Sequence, residues 1–175
     1  PLRRQRQMCI RDRLYSRAAQ AVLPAVVRLH VINQPEVVAK GEPEEVTGSG
    51  CLLPKAGYLI TAHHIIADAE RIEIIFTDGS RIRVDECMAD PDTELAVLKF
   101  NSGDKELPAI TWGDSEIMAA GMPVLAVGAP YAFEQTVTSG VVSFKGRRIN
   151  KLGEWAYEDF IQTDAIINKG NSGGP

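Results

Sequence analysis

Residues 71–100 read RIEIIFTDGSRIRVDECMADPDTELAVLKF, three runs of alternating apolar and polar residues separated by Asp78-Gly79 and by Asp90-Pro91-Asp92-Thr93. Asp-Gly suits the φ > 0 positions of a type I′ turn, so the first two runs are expected to form a hairpin. Outward from it the same period recurs. Within residues 26–32, Val27, Leu29 and Val31 share one face while Arg28 and His30 take the other, which makes His30 a solvent-side strand residue and no catalyst. GSGCLL and GYLIT, joined at PKAG, read as two more short strands. Strands of this length, with almost no room for helices between them, indicate an all-β barrel or sandwich. The helical exceptions are short. LYSRAAQAVL, residues 14–23, is expected to be a helix ending before Pro24, because a proline disfavours the α conformation in the residue before it. AHHIIADA is helix-permissive. Residues 33–47, acidic and broken by Pro35 and Pro43, read as an exposed loop.

Residues 101–108, NSGDKELP, make a polar linker to a second group: PAITW, PVLAVG, QTVTSGVVSFKG and EDFIQTDA, interrupted by the basic loop RRINKLGEW. Closure is how barrels avoid exposed edges, and a barrel of about six strands needs more than these four. The expected division is therefore a non-domain segment at 1–17, a first barrel at 18–103 and a second, incomplete one at 104–175. The chain begins and ends with Pro and has no initiator Met, so it is expected to be a fragment lacking strands after residue 175, inactive by itself.

Composition narrows the function. The 175 residues are 45% hydrophobic, enough for a sizeable core. Six of the 19 basic residues fall within the first 17 positions, and the remainder carries 13 basic against 22 acidic residues, the opposite of a nucleic-acid-binding surface. The Arg-rich head matches nothing that follows and is set aside from the fold reading as a non-domain segment. If it does bind nucleic acid, deleting residues 1–17 removes the affinity. Cys9, Cys51 and Cys87 have no CxxC spacing and imply no metal site or disulfide framework. Cys51 and Cys87 lie in apolar strand patterns and read as core residues, with a bridge between them left open. The uncharged run from Ile117 to Phe133 is divided by Gly121, Pro123, Gly128 and Pro130 and is no membrane helix. No signal peptide is visible.

Residues 168–175, NKGNSGGP, are where chemistry concentrates. A serine among Gly170, Gly173 and Gly174 sits on backbone that can adopt φ > 0 and approach a ligand closely. Such a loop can aim the N–H groups of Gly170 and Ser172 at one point, as acyl transfer requires when a carbonyl oxygen becomes an oxyanion. Taken alone, GxSGG is a Gly-rich turn, and it lacks the Lys-Ser/Thr ending of a phosphate-binding loop. The reading depends on a base and an acid. His63 and His64 follow the strand GYLIT, and only one of an adjacent pair can face a cleft. Thirty residues on, DPDTELAVLKF places acids just before an apolar strand, where a carboxylate can accept a histidine Nδ1–H and fix its tautomer.

The order histidine, acid, serine, split between two β groups, matches the chymotrypsin-like double-barrel plan. Through GSGCLLPKAGYLITAHHII, DPDTELAVLKF, WGDSEIMAAGMPVLAVGAPYAFEQTVTSGVVS and FIQTDAIINKGNSGGP the chain resembles the HtrA/Deg family of trypsin-like serine proteases over nearly all of residues 20–175. The resemblance implies an all-β, chymotrypsin-like double barrel with a short N-terminal helix, the second barrel truncated after the serine motif. It makes His64, fourth counting from Thr61, the general base, and Ser172 the nucleophile, with the Gly170 and Ser172 N–H groups as oxyanion hole. Where the family has Asp, this chain has Glu94. One more methylene moves a carboxylate by over an angstrom unless the backbone adjusts, and Asp92 is the alternative acid.

Ile166, six positions before the serine, falls where this family lines the base of its primary pocket, with Ile167 beside it. An apolar floor disfavours Lys and Arg, so cleavage after small or medium aliphatic residues is expected, and Asp164 takes a structural hydrogen-bonding role. Asn171 cannot make the ion pair by which zymogens of this plan are activated. A loop-ordering switch involving residues near 33–47, 147–157 and 168–171 is implied instead. The resemblance further implies unfolded or misfolded protein substrates, no cofactor and no metal, a homotrimer formed through the N-terminal segment with Tyr15 a candidate contact, a C-terminal PDZ domain in many members, and a bacterial periplasmic, envelope or secreted location. The competing reading, resting on Glu94, is a catalytically impaired peptide-binding or chaperone-like relative.

Overall fold

Val26–Asn33 (β1) buries Val27, Leu29 and Val31 at 2%, 0% and 0% exposure, the three residues that its period of two placed together. It is the first strand of a closed barrel. The computed structural model describes residues 13–129, 135–148 and 158–175. Around the barrel the strands are Glu45–Leu52 (β2), Tyr58–Ala62 (β3), Ala69–Ile75 (β4), Arg81–Asp90 (β5) and Leu95–Phe100 (β6), in the order β1-β2-β3-β6-β5-β4 and antiparallel throughout. Pairing of β4 back onto β1 closes it and leaves no strand edge unpaired. The core inside is aliphatic, with Leu29, Leu52, Leu59, Ile74 and Leu98 almost fully enclosed and Phe100 edge-on to Phe76. On the outer face His30 contacts Glu45 through Nε2 at 3.2 Å.

Pro123–Gly128 (β7), Thr136–Arg147 (β8) and Phe160–Thr163 (β9) form a separate antiparallel three-stranded sheet. The fold is thus mostly β, a closed first barrel followed by a partial second sheet, as the strand pattern indicated. PAITW departs from expectation and forms no strand. Ile110 from this stretch, with Leu107 just before it, instead packs against the first barrel, and the Ile110 N–H donates to the Leu52 carbonyl at 2.9 Å. Burying those two side chains on an existing core wins over pairing with a strand beside the second sheet.

Smaller departures have local causes. The helix at 13–22 (α1) does not stop cleanly before Pro24 but tightens into a 3₁₀ turn, Leu23–Ala25, whose second residue is the proline. Residues 33–47 contain a helical turn, Pro35–Val38 (α2), started by a proline that has no N–H to satisfy, and the loop then runs into β2 three residues early. The β4–β5 connection is a hairpin, but its turn is not type I′. Gly79 alone among the turn residues has positive φ, and the Phe76 carbonyl accepts from Gly79 while its N–H reaches the Ser80 carbonyl. That is a type I turn followed by a left-handed glycine, the three-residue form, capped by Asp78 Oδ1 accepting the Ser80 N–H at 2.8 Å. Bonds from Ser80, side chain first, hold the Asp78 carboxyl below its usual range.

Cys51 is a core residue as expected, but Cys87 on β5 is exposed, and neither is in a disulfide. Cys87 lies opposite the buried Leu98 and shares its face of the sheet, but residues 85–90 of β5 are exposed throughout and Cys87 with them. Burial pushes the Cys51 thiol up to about 12, leaving roughly one part in 10⁴ as thiolate at pH 8. Iodoacetamide is therefore expected to modify Cys87 in the native protein and Cys51 only after unfolding, as read by peptide mass spectrometry. Arg147 of the basic loop RRINKLGEW ends β8, while the rest of that loop from residue 149, Cys9 and most of the Arg-rich head lie outside the described residues. Among the described residues no helix is long and apolar enough to cross a membrane.

Candidate active site

His63–Ile66 (α3) is a single helical turn at the end of β3, and its position is set by packing. Ile65 and Ile66 are buried at 5% and 7%, and Ile65 sits against Gly48, where an added Cβ would lie 2.7 Å from Cγ2 of Ile65. With the two isoleucines committed to the core, His63 and His64 are left at the barrel rim. Across the rim the Asp90–Glu94 turn precedes β6. The Glu94 carbonyl accepts the His63 N–H at 3.0 Å, and Glu94 Oε1 accepts both the His64 backbone N–H, at 3.0 Å, and His64 Nδ1. Asp92 bonds inside its own turn, its N–H donating to Asp90 Oδ1 at 3.1 Å. The carboxylate brought to His64 is that of Glu94.

Backbone geometry accommodates the longer acid. Glu94 has φ +60°, the left-handed region, and is the only described residue other than glycine with positive φ. A β-carbon there costs about 1–2 kcal/mol, so local strain is stored at this position. A proton on His64 Nδ1, held by Glu94, leaves Nε2 unprotonated and able to accept. The imidazole is 52% exposed while the acid is only 19% exposed, the arrangement of a sheltered orienting group and an accessible base.

Ser172 reaches the same barrel through backbone. Its carbonyl accepts the Ser49 N–H at 2.8 Å. Ser49 is fully buried, and its hydroxyl donates to the Gly170 carbonyl at 2.6 Å and accepts the Ala129 N–H at 2.8 Å, while its own carbonyl accepts from Thr61 Oγ1 at 2.7 Å. One small residue on β2 therefore joins the nucleophile loop, the end of β7 and the strand that leads to His64. Gly170 has φ +98° and Gly173 φ +83°. Among the described residues the N–H groups of Gly170 and Ser172 have no acceptor. The Ser172 hydroxyl likewise makes no hydrogen bond to His64 here, a contact that characteristically tightens only with substrate bound.

Ser49 and Thr61 were not singled out from sequence. The signal was a serine between two glycines in an otherwise apolar strand, legible only once the strand is known to be buried. Ser49→Ala strips partners from two buried backbone groups and is expected to cost about 2–4 kcal/mol, measured by urea unfolding of the two proteins.

Ser172 opens onto a cleft of about 400 Å³ whose walls include Val124, Leu125, Val127, Ile161, Ala165 and Ile167. Ile167 is on that wall. Ile166 is not, being 63% exposed with its carbonyl accepting from Thr138 Oγ1 at 2.8 Å. Asp164 Oδ1 accepts the Val141 N–H at 2.7 Å and ties the pre-serine segment to β8. No group of three or more His, Cys, Asp or Glu among the described residues is placed to hold a metal ion.

A closed β-barrel carrying a histidine–carboxylate pair, with a Gly-rich serine loop bonded to it from the following sheet, defines the chymotrypsin-like class. Residues 48–175 match the trypsin-like peptidase domain, and the chain belongs to that family, in its HtrA/Deg group. It is 43% identical over 132 residues to a probable periplasmic serine endoprotease, DegP-like, of Chlamydia muridarum, an alignment covering 75% of this chain and 26% of the relative. A relative with the same description from Brucella suis is 42% identical over 128 residues, covering 73% of this chain and 24% of the relative. Among solved structures, the HtrA-type protease AlgW with a tripeptide superposes with a TM-score of 0.79 at 40% identity, covering 91% of this chain and 49% of that one. Deg5 superposes at 0.76 and 32% identity, covering 94% and 79%. The chain spans about a quarter of the length of the curated relatives it matches.

Proposed function

We propose that the protein is a serine endopeptidase that hydrolyses peptide bonds of unfolded or misfolded proteins. The observation that carries this reading is the Glu94 carboxylate on His64 Nδ1, on the barrel to which the Ser172 loop is bonded. Neutral His64 takes the Ser172 proton through Nε2 as Oγ attacks a peptide carbonyl, and Glu94 stabilises the imidazolium that forms. The Gly170 and Ser172 N–H groups receive the oxyanion. His64 then gives its proton to the leaving amine, and water repeats the cycle on the acyl-enzyme. Glutamate at the acid position, which motivated the disabled-relative alternative, carries less weight once its carboxylate reaches His64.

The apolar cleft beside Ser172 supports cleavage after small or medium aliphatic residues, with Ile167 on its wall, whereas Ile166, expected beside it, lies off that wall. Residues 18–103 and 104–175 serve as the two β units of the catalytic domain, with 1–17 outside them. The periplasmic descriptions of the relatives support a periplasmic or envelope location, and family resemblance supports a homotrimer. The test is labelling by a fluorophosphonate probe in the full-length protein. Labelling that disappears in Ser172→Ala supports the reading. Wild-type protein that labels no more than the alanine variant removes it.

A further inference from the structure

Glu94 has two carboxylate oxygens, and the catalytic reading employs one. Oε1 is fixed by two donors of His64. Oε2 faces the neighbouring imidazole, His63 Nδ1, at 3.6 Å. His63 is more sheltered than His64, at 22% against 52% exposure, and its backbone N–H is already bonded to the Glu94 carbonyl. Residues 63 and 64 thus hold Glu94 at its carbonyl and at both ends of its carboxylate.

This matters because the acid is a glutamate. Its extra rotatable bond gives the carboxylate positions that an aspartate does not have, and each wrong one withdraws the group from His64. We propose that His63 is a positioning residue for the triad acid: its imidazole holds Glu94 Oε2, so that the longer side chain keeps Oε1 on His64. The inference rests on the reading of Ser172, His64 and Glu94 as the reacting set. His63 acts only through Glu94 and touches neither nucleophile nor substrate. The role requires a proton on Nδ1, which the protonated ring and the Nδ1–H tautomer of the neutral ring both supply. An asparagine places its amide nitrogen the same number of bonds from Cα and can stand in; alanine cannot. An aspartate at position 94 draws the carboxylate back by over an angstrom, out of reach of a group already at 3.6 Å, so His63 loses its purpose there.

The experiment measures kinact and KI for a fluorophosphonate probe on the full-length protein. His63→Ala is expected to lower kinact about fivefold, the upper end for a partly exposed charge contact at 3.6 Å, with KI changed less than about twofold. His63→Asn is expected to return kinact to within about twofold of wild type. Combined with Glu94→Asp, His63→Ala is expected to cost less than about twofold, because the pair is then uncoupled. Equal losses in both backgrounds, an asparagine variant no better than alanine, or no loss at all overturns the proposal. A second measurement does not depend on catalysis. In Ser172→Ala protein, Glu94→Gln is expected to move the imidazole ¹⁵N resonances of both His63 and His64, and movement of His64 alone overturns the clamp. Failure of wild-type protein to label beyond Ser172→Ala removes the nucleophile reading, and the resonances then decide the His63 contact alone.

Discussion

In a Glu94→Gln protein the rate of Ser172 acylation is expected to fall by about 10⁴, the size characteristic of neutralising the orienting acid of such a triad. Oε1 of Glu94 accepts two bonds from His64. An amide that keeps its oxygen on the backbone N–H offers His64 no charge, and one that turns its NH₂ toward the ring forces the proton onto Nε2, where the base is needed. The first leaves the imidazolium without a stabilising charge, and the second leaves Ser172 without an acceptor for its proton. The fold is expected to change little, because the acid lies on a rim turn, and the measurement is fluorophosphonate kinact beside a thermal melt. A fall of tenfold or less with unchanged melting assigns the orienting role elsewhere.

The second large effect is structural. Gly173→Ala is expected to cost about 3 kcal/mol or more and to abolish labelling of Ser172. At φ +83° an alanine is strained whatever the space, and its Cβ would overlap the Ser49 carbonyl and Thr61 Oγ1, which are bonded to one another at 2.7 Å. Neither partner can retreat without breaking the link between β2 and β3. Urea unfolding and labelling of the same sample check both halves, and a loss under about 1 kcal/mol with labelling retained contradicts the tight seating of the loop.

Both expectations depend on contacts of different legibility. The alternation Val27, Leu29, Val31 predicted its buried face because period two in a half-buried strand leaves no other arrangement, and the closed barrel followed from strands too closely spaced for helices. The family was legible through four ordered segments. PAITW was misread because its apolar residues suit a strand and a core plug equally, and only the space left at Leu52 decides between them. The Asp78-Gly79 turn was misread because the dipeptide permits several loop lengths. Cys87 was placed in the core because strand residues alternate, and it does share a face with the buried Leu98, yet alternation does not say where along the strand the core ends.

What the sequence by itself determined was local and periodic: an all-β chain, a hairpin at Asp78-Gly79, a histidine at a strand end, an acidic turn before an apolar strand and a glycine-bound serine. Tertiary structure alone decided which groups meet. Glu94 rather than Asp92 faces His64 because a left-handed residue aims the turn. His63 shares that carboxylate because the isoleucines after it anchor the helical turn beneath. Ser49, fully buried, joins the nucleophile loop to the base-bearing barrel across more than 100 residues of chain. Such meetings depend on distances through space between segments remote in sequence, and no pattern along the chain encodes them directly.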